Sequence, residues 1–344
     1  MACDCQSELN KINCKIDALT YNQDQVWREV FEPGPVYSVY FAADCGKASE
    51  ASVLNLARYL LAEYNKDNDA FLGFFAGGDL NYPSGAAATI DANLFPFLFL
   101  LNAEKYFPAL GNHDLDDASL GTVLTSKFNY LPDNGPSEAS KNRTYFVDFT
   151  DKINAVFFVF DCGYRTSELD AEEETAITEF VGVDSLANMR DWFYSTIASI
   201  GARVNIPVMH LPYATSEDSD PMVANDRYFP AFNFNFSENK IPILLNGHAH
   251  CDFHIRVQKN AAYPSDELDI LNCSTFTDYN DVGNGVVWQG AEPEGHHYVL
   301  KWAKKEQPHC LKLSFYKNRI SVEFIDIDDT GTQTQFNTSY GFLK

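Results

Sequence analysis

The 344-residue sequence predicts an α/β fold preceded by a short N-terminal helical segment. Three observations carry that expectation: runs of β-branched and aromatic residues, helically spaced apolar residues between them, and a late change to strands joined by turns. In residues 5–30, Cys5, Leu9, Ile12, Ile16, Leu19, Val26 and Val30 fall on alternating three- and four-residue steps, interrupted at Gln23. That short heptad pattern fits either an amphipathic helix docked on its own domain or an oligomerising stalk that would make the protein a homo-oligomer. Glu32-Pro33-Gly34-Pro35 ends it and separates a segment 1–32 from a domain expected over 36–336, with a tail at 337–344.

Within the domain, 36–43 reads as a strand and 48–65 as a helix, where Val53, Leu54, Leu56, Ala57, Leu60, Leu61 and Tyr64 recur. Strands follow at 71–76 and 153–160. A helix at 184–200 carries Leu186, Met189, Trp192, Phe193 and Ile197 on one side and is stopped by Gly201. Further strands are expected at 206–209 and 241–245, and 309–316 with 319–327 form a hairpin around Lys317-Asn318.

Composition narrows the function. The formal charge is −23 and 45% of residues are apolar, so the chain has a packed core and no basic surface for a phosphate backbone; nucleic acid is not an expected partner. The longest apolar run, 94–101, is about half of the roughly 18–20 residues that a bilayer span requires, so no membrane partner is expected. The start, Met1-Ala2-Cys3-Asp4-Cys5, lacks the basic and apolar regions of a secretion signal; the expectation is a cytoplasmic protein or one carried on a larger assembly. Four Asn-X-Ser/Thr sequons, at Asn142, Asn235, Asn272 and Asn337, then read as chance. Eight cysteines match no zinc-finger spacing. Cys45, Cys162 and Cys251 each follow a predicted strand and read as buried thiols or redox switches; Cys3, Cys5 and Cys14 read as reduced thiols or stalk cross-links.

Five segments put metal-capable side chains directly after predicted strands, where open α/β sheets place their sites. They are Asp44-Cys45-Gly46, Gly77-Gly78-Asp79-Leu80-Asn81-Tyr82, Gly111-Asn112-His113-Asp114, Val208-Met209-His210 and Gly247-His248-Ala249-His250. Carboxylate and amide oxygens mixed with imidazoles suit divalent or trivalent transition metals rather than calcium. The other histidines, His254, His296, His297 and His309, read as surface or packing residues.

These five blocks, in this order, resemble the calcineurin-like metallophosphoesterase superfamily over about residues 36–336. Within it the chain is similar to the purple acid phosphatases, which have Asp-X-Gly in the first block and a tyrosine in the second, as in Asp44-Cys45-Gly46 and Gly78-Asp79-Leu80-Asn81-Tyr82. The stretch 208–213 is also similar to that branch. The resemblance implies a sandwich of two mixed sheets flanked by helices. It implies Fe(III) on Asp44, Asp79, Tyr82 and His250, and a divalent zinc, iron or manganese on Asp79, Asn112, His210 and His248. His113 would face the leaving group, with Asp114 orienting its ring. The implied reaction is hydrolysis of a small phosphoester by a metal-bound hydroxide, with an acid phosphatase-like phosphomonoesterase placed ahead of a phosphodiesterase. A structural or attachment protein carrying a phosphoesterase domain is the rival, and substrate choice is expected in loops 212–225 and 278–297.

Overall fold

Strand formation follows the β-rich runs, and two sheets result. In the computed structural model the described residues are 36–117, 119–161, 186–211, 240–258, 267–275, 297–304, 308–317, 319–327 and 335–341. The strands are β1 (Tyr37–Ala42), β2 (Phe71–Gly77), β3 (Tyr106–Ala109), β4 (Tyr145–Asp148), β5 (Ala155–Val159), β6 (Val204–Val208), β7 (Ile243–Asn246), β8 (Asp252–Gln258), β9 (Glu267–Asn272), β10 (His297–Lys304), β11 (His309–Phe315), β12 (Arg319–Asp326) and β13 (Gln335–Gly341). The helices are α1 (Ala51–Lys66), α2 (Ile90–Leu94), α3 (Leu98–Asn102), α4 (Asn112–Leu115), α5 (Leu120–Lys127) and α6 (Leu186–Ile200).

One sheet has the order β13-β12-β11-β1-β2-β3 and the other β10-β8-β9-β7-β6-β5-β4. In the first, β1, β2 and β3 run parallel while β11, β12 and β13 are antiparallel; in the second, β5, β6, β7 and β9 are parallel. The expected two-sheet α/β sandwich is therefore present. Parallel strands covered on both faces read as continuous apolar runs, and β2, β5, β6 and β7 are buried along their whole length.

Helix α1 buries Val53, Leu56, Ala57 and Leu60 on one face, and leaves Leu54 and Leu61 on the other at 36% and 40% exposure. Helix α6 lays Met189 and Phe193 against Val156, Phe158 and Phe160 of the second sheet. It stops at Gly201, which takes φ +68° and donates its N–H to Ile197 O at 3.0 Å. Between the sheets, Phe75 stacks on Phe157 with centroids 4.5 Å apart, and Phe157 meets Phe315 edge-on. Each such fully buried ring contributes about 1.5–3 kcal/mol by leaving water. The apolar run 94–101 forms a short 3-10 turn and α3, with Phe97 and Leu100 inward and Phe95 at 69% exposure. No helix among the described residues is long and apolar enough to cross a membrane.

Several expectations meet the structure differently. Strand β13 pairs with β12 as far as Gly341, so most of the expected tail 337–344 is sheet, because its backbone completes the open edge of β12. Sequon residues Asn142 and Asn272 are buried, at 3% and 0% exposure. Of the histidines expected at the surface or in packing, His254 and His309 are packed, buried with ring nitrogens against the carboxylates of Asp269 and Asp252. The heptad segment 5–30 with Cys3, Cys5 and Cys14, and also Cys162, Asn235, loops 212–225 and 278–296, and His296, lie outside the described residues, as do the side chains of His297 and Asn337.

At the far end of the first sheet, buried Glu63 of α1 accepts hydrogen bonds from Tyr40 Oη at 2.8 Å and Lys312 Nζ at 2.7 Å, and also pairs with Lys66. Burial alone would raise its pKa, but the two lysines outweigh burial and hold it down at about 2. In the unfolded chain the carboxyl titrates near 4.5, so its charge stabilises the fold above that pH and the contribution is lost as pH falls toward 2. Glu63→Gln should therefore lower stability by a constant amount from pH 7 to 5, with the gap to wild type closing below 4.5. Denaturant melts across pH test this; a gap that persists at low pH contradicts it.

Candidate metal centre

All five sequence blocks converge on one edge, where the C-terminal ends of β1, β2 and β3 meet those of β6 and β7. Asp44, Asp79 and His210 can bring ligand atoms within 4.8 Å of one another, and all three are buried. The turns that carry them need unusual backbone: Asp44, Asp79, His248 and His250 have φ of 59°, 53°, 72° and 48°. Aspartate and histidine are among the residues that enter the left-handed region most readily, which suits them to these tight turns. Gly78 is required on two counts. Its φ is +95°, and a Cβ there would lie 2.5 Å from His210 Nδ1.

The histidine tautomers follow from their partners. His210 Nδ1 lies 2.8 Å from Gly77 O, which only accepts, so that nitrogen carries the proton and Nε2 presents its lone pair. That lone pair faces Asn112 Oδ1 at 2.9 Å and Asp79 Oδ1 at 3.5 Å. His248 Nδ1 also lies 3.0 Å from Asn112 Oδ1. Burial pushes both imidazoles down to about 3, so each is neutral. Around the other half, Tyr82 Oη donates to Asp79 Oδ2 at 2.8 Å and lies 3.1 Å from His250 Nε2 and 3.4 Å from Asp44 Oδ1. Burial and the two carboxylates keep the phenol protonated in the cation-free protein.

A cation fits this donor set. Lone pairs of Asp79, Asn112 and His210 point at one another, and Asp44 Oδ2 is buried with no hydrogen-bond partner. Burial, and then the neighbouring charge of Asp79, raises the Asp44 carboxyl well above its usual range. Such convergence of acceptors is unfavourable until positive charge offsets it.

His113 sits at the open side of the site, with its ring 4.6 Å from that of Tyr82 and Nε2 4.0 Å from Asp79 Oδ2. Its Nδ1 lies 2.7 Å from Pro83 O, so Pro83 orients the ring. The expected orienting role of Asp114 is corrected here. Its carboxylate is engaged by the backbone N–H groups of Gly111 and Leu80, each at 2.9 Å, and ties the second block to the third. Burial, then Asp79, pushes its pKa up to about 8. Cys45 and Cys251 are buried free thiols, and burial pushes the Cys45 thiol up.

Sequence reasoning missed the residues that fix the loops. Thr275 Oγ1 donates to Asp44 O at 2.9 Å, Asn246 Nδ2 to Leu211 O at 3.0 Å, and Asn272 Nδ2 to Cys251 O at 2.6 Å. Asn246 directly precedes Gly247-His248, which was a usable signal. Asn272 and Thr275 had none, since their strand was not read.

No family model matches this sequence, and no curated protein matches it. Solved structures do match. The GAP50 anchor in the inner membrane complex of Plasmodium superposes with a TM-score of 0.57 at 14% identity, over 90% of each chain. PhoD gives 0.55 at 13% identity over 90% of this chain and 70% of that one. A purple acid phosphatase from yellow lupin seeds gives 0.52 at 14% identity, and this chain spans only 55% of its length. The chain thus has the two-sheet α/β sandwich of the metallophosphoesterase fold, and its Asp44, Asp79 and His210 could hold a metal ion.

Proposed function

We propose that this protein is a metal-dependent phosphoester hydrolase of the purple acid phosphatase type, acting on small phosphomonoesters. The observation that carries the reading is the convergence of Asp44, Asp79, Tyr82, Asn112, His210, His248 and His250 on one buried point of unbalanced negative charge. Asp44, Asp79, Tyr82 and His250 would hold a ferric ion, and Asp79, Asn112, His210 and His248 a divalent zinc, iron or manganese. Two such cations supply Lewis-acid polarisation of a phosphoryl group and a water acidic enough to act as nucleophile.

The chain's own groups do the rest. Gly77 O holds the His210 tautomer and leaves Nε2 to ligate. Pro83 O occupies His113 Nδ1, so a proton passed to a leaving alkoxide would come from Nε2 of the doubly protonated ring, which becomes the neutral Nδ1–H tautomer. Asp114 fixes the two turns that carry Asp79 and Asn112. The net charge of −23 opposes extended polyanions, so capture by a local cationic centre favours small esters.

Metal analysis of the purified protein with a panel of phosphomonoesters and phosphodiesters tests the reading. Two metals per chain, monoester hydrolysis and a visible tyrosinate-to-iron band absent from Tyr82→Phe are expected; a colourless, iron-free active enzyme removes the branch assignment. The 90% mutual coverage with the Plasmodium anchor favours one second reading, an attachment protein on this fold. A metal-loaded chain that hydrolyses nothing in the panel decides for it.

A further inference from the structure

Beyond the His250 loop, the two sheets also meet through buried polar side chains. His309, at the start of β11, is 2% exposed, with Nδ1 against Asp252 Oδ2 and Nε2 against Asp326 Oδ1 of the neighbouring β12. Asp252 opens β8 in the other sheet, two residues beyond His250, and is fully buried. Its second oxygen, Oδ1, accepts the N–H of Ser274 at 2.8 Å. The next residue, Thr275, grips the Asp44 turn: its N–H donates to Ala43 O at 3.0 Å, and its Oγ1 lies 3.1 and 2.9 Å from Ala43 O and Asp44 O. A single parallel bridge between Ala43 and Ser274 closes the seam.

We propose that His309 is a positioning residue for the metal centre: through Asp252 and Ser274 it latches the Asp44 turn of one sheet to the His250 loop of the other. The proposal rests on the reading that Asp44 and His250 hold a cation. Two features separate a latch from ordinary packing. Both imidazole nitrogens are committed to carboxylates, so a side chain of similar size without donors fills the space yet strands two buried acids. Moreover, the chain of contacts ends on ligands of one proposed ion only. Asn112 and His210 are held elsewhere: His210 Nδ1 lies on Gly77 O, and Asn112 Oδ1 lies between His210 Nε2 and His248 Nδ1. Loss of the latch should therefore be felt unequally by the two ions.

The test titrates the full-length, metal-stripped chain with zinc against a chromophoric chelator, for wild type, His309→Leu, His309→Gln and Phe157→Leu. The latch predicts that His309→Leu weakens one of the two zinc sites by about 10–100-fold, the range seen when outer partners of ligands are removed. The second site stays within about threefold of wild type. His309→Gln, which keeps one donor, falls between and provides the reading if the leucine variant does not fold. Amide exchange at Ser274 in the metal-free protein should quicken in both His309 variants. Phe157→Leu loosens the aromatic half of the interface and should lower the melting temperature with zinc affinity unchanged. Wild-type affinity at both sites in both His309 variants overturns the latch and leaves the metal centre standing, as does equal weakening of the two sites or equal loss in Phe157→Leu. A wild-type chain that takes up no zinc removes the metal centre, and the latch with it.

Discussion

Asp79→Asn should abolish hydrolysis and empty both proposed cation positions while the fold survives. Asp79 is the one carboxylate that touches both halves of the site. Its Oδ1 accepts the His113 N–H at 3.0 Å and faces His210 Nε2, and its Oδ2 accepts the Tyr82 hydroxyl at 2.8 Å. Asparagine tolerates the φ of 53° that this turn imposes, so the substitution removes charge without breaking backbone. Zinc affinity should fall further than the roughly 10–100-fold typical of outer partners, and turnover by at least the roughly 10²–10³ that one transition-state donor is worth. The metal-free variant should melt no lower than wild type, because the like charge that helps to raise the Asp44 pKa is gone. Two bound zinc ions with ordinary turnover in Asp79→Asn contradict the site as drawn.

Gly46→His should produce a protein with less metal affinity, although it adds an imidazole beside the proposed ligands. A Cβ at Gly46 would stand 2.3 Å from Asn81 N and Leu80 C and 2.5 Å from Asp79 O. Gly46 N donates to Asp79 O at 2.8 Å, and Tyr82 N donates to Gly46 O at 3.1 Å. The first turn and the Asp79–Tyr82 loop are therefore laced together, and a side chain at 46 displaces both Asp79 and Tyr82. Overpacking of this kind costs on the order of 1–3 kcal/mol, and the ligand geometry goes with it. Melting and zinc titration of Gly46→His and Gly46→Ala measure this directly. Wild-type values for Gly46→His would show that the loop can yield. Glycine at 46 is what lets the Asp79–Tyr82 loop pass this close to the first turn and carry Tyr82 to the site.

Much of the parallel core was legible because strands such as Phe71–Gly77 are apolar on every residue and because helices α1 and α6 carry one-sided apolar spacing; the four-residue β3, Tyr106–Ala109, was too short to be read. Every block with metal-capable side chains arrived at the predicted edge, since the end of a parallel strand leaves few other directions for the turn. Strands β8 and β9 were not read, and the reason is physical. Asp252, His254, Arg256 and Asp269 alternate with Phe253, Ile255 and Ile270, and a row of charges at a sandwich interface resembles a solvated face. Only the pairing of His254 with Asp269 at 2.6 Å, and of Arg256 with the same carboxylate at 3.0 Å, makes those positions tolerable inside. The same blindness hid His309. The role expected for Asp114 failed differently: adjacency to His113 suggested contact, but on the short α4 the two side chains diverge, one to backbone N–H groups and one to Pro83 O.

Asp44, Asp79 and Asn112 come from the first sheet, His210, His248 and His250 from the second, so a cation held among them ties together stretches of chain far apart in sequence. It would act on the folding equilibrium as a removable cross-link, stabilising the joined state by about 2.7 kcal/mol at a free concentration of 100 times its dissociation constant. Such a tie cannot form on a nascent chain until residue 250 has emerged and both sheets have docked. Metal supply during synthesis then becomes a determinant of yield, and a chain produced without it is exposed for longer to pairing errors among its slow, long-range strands.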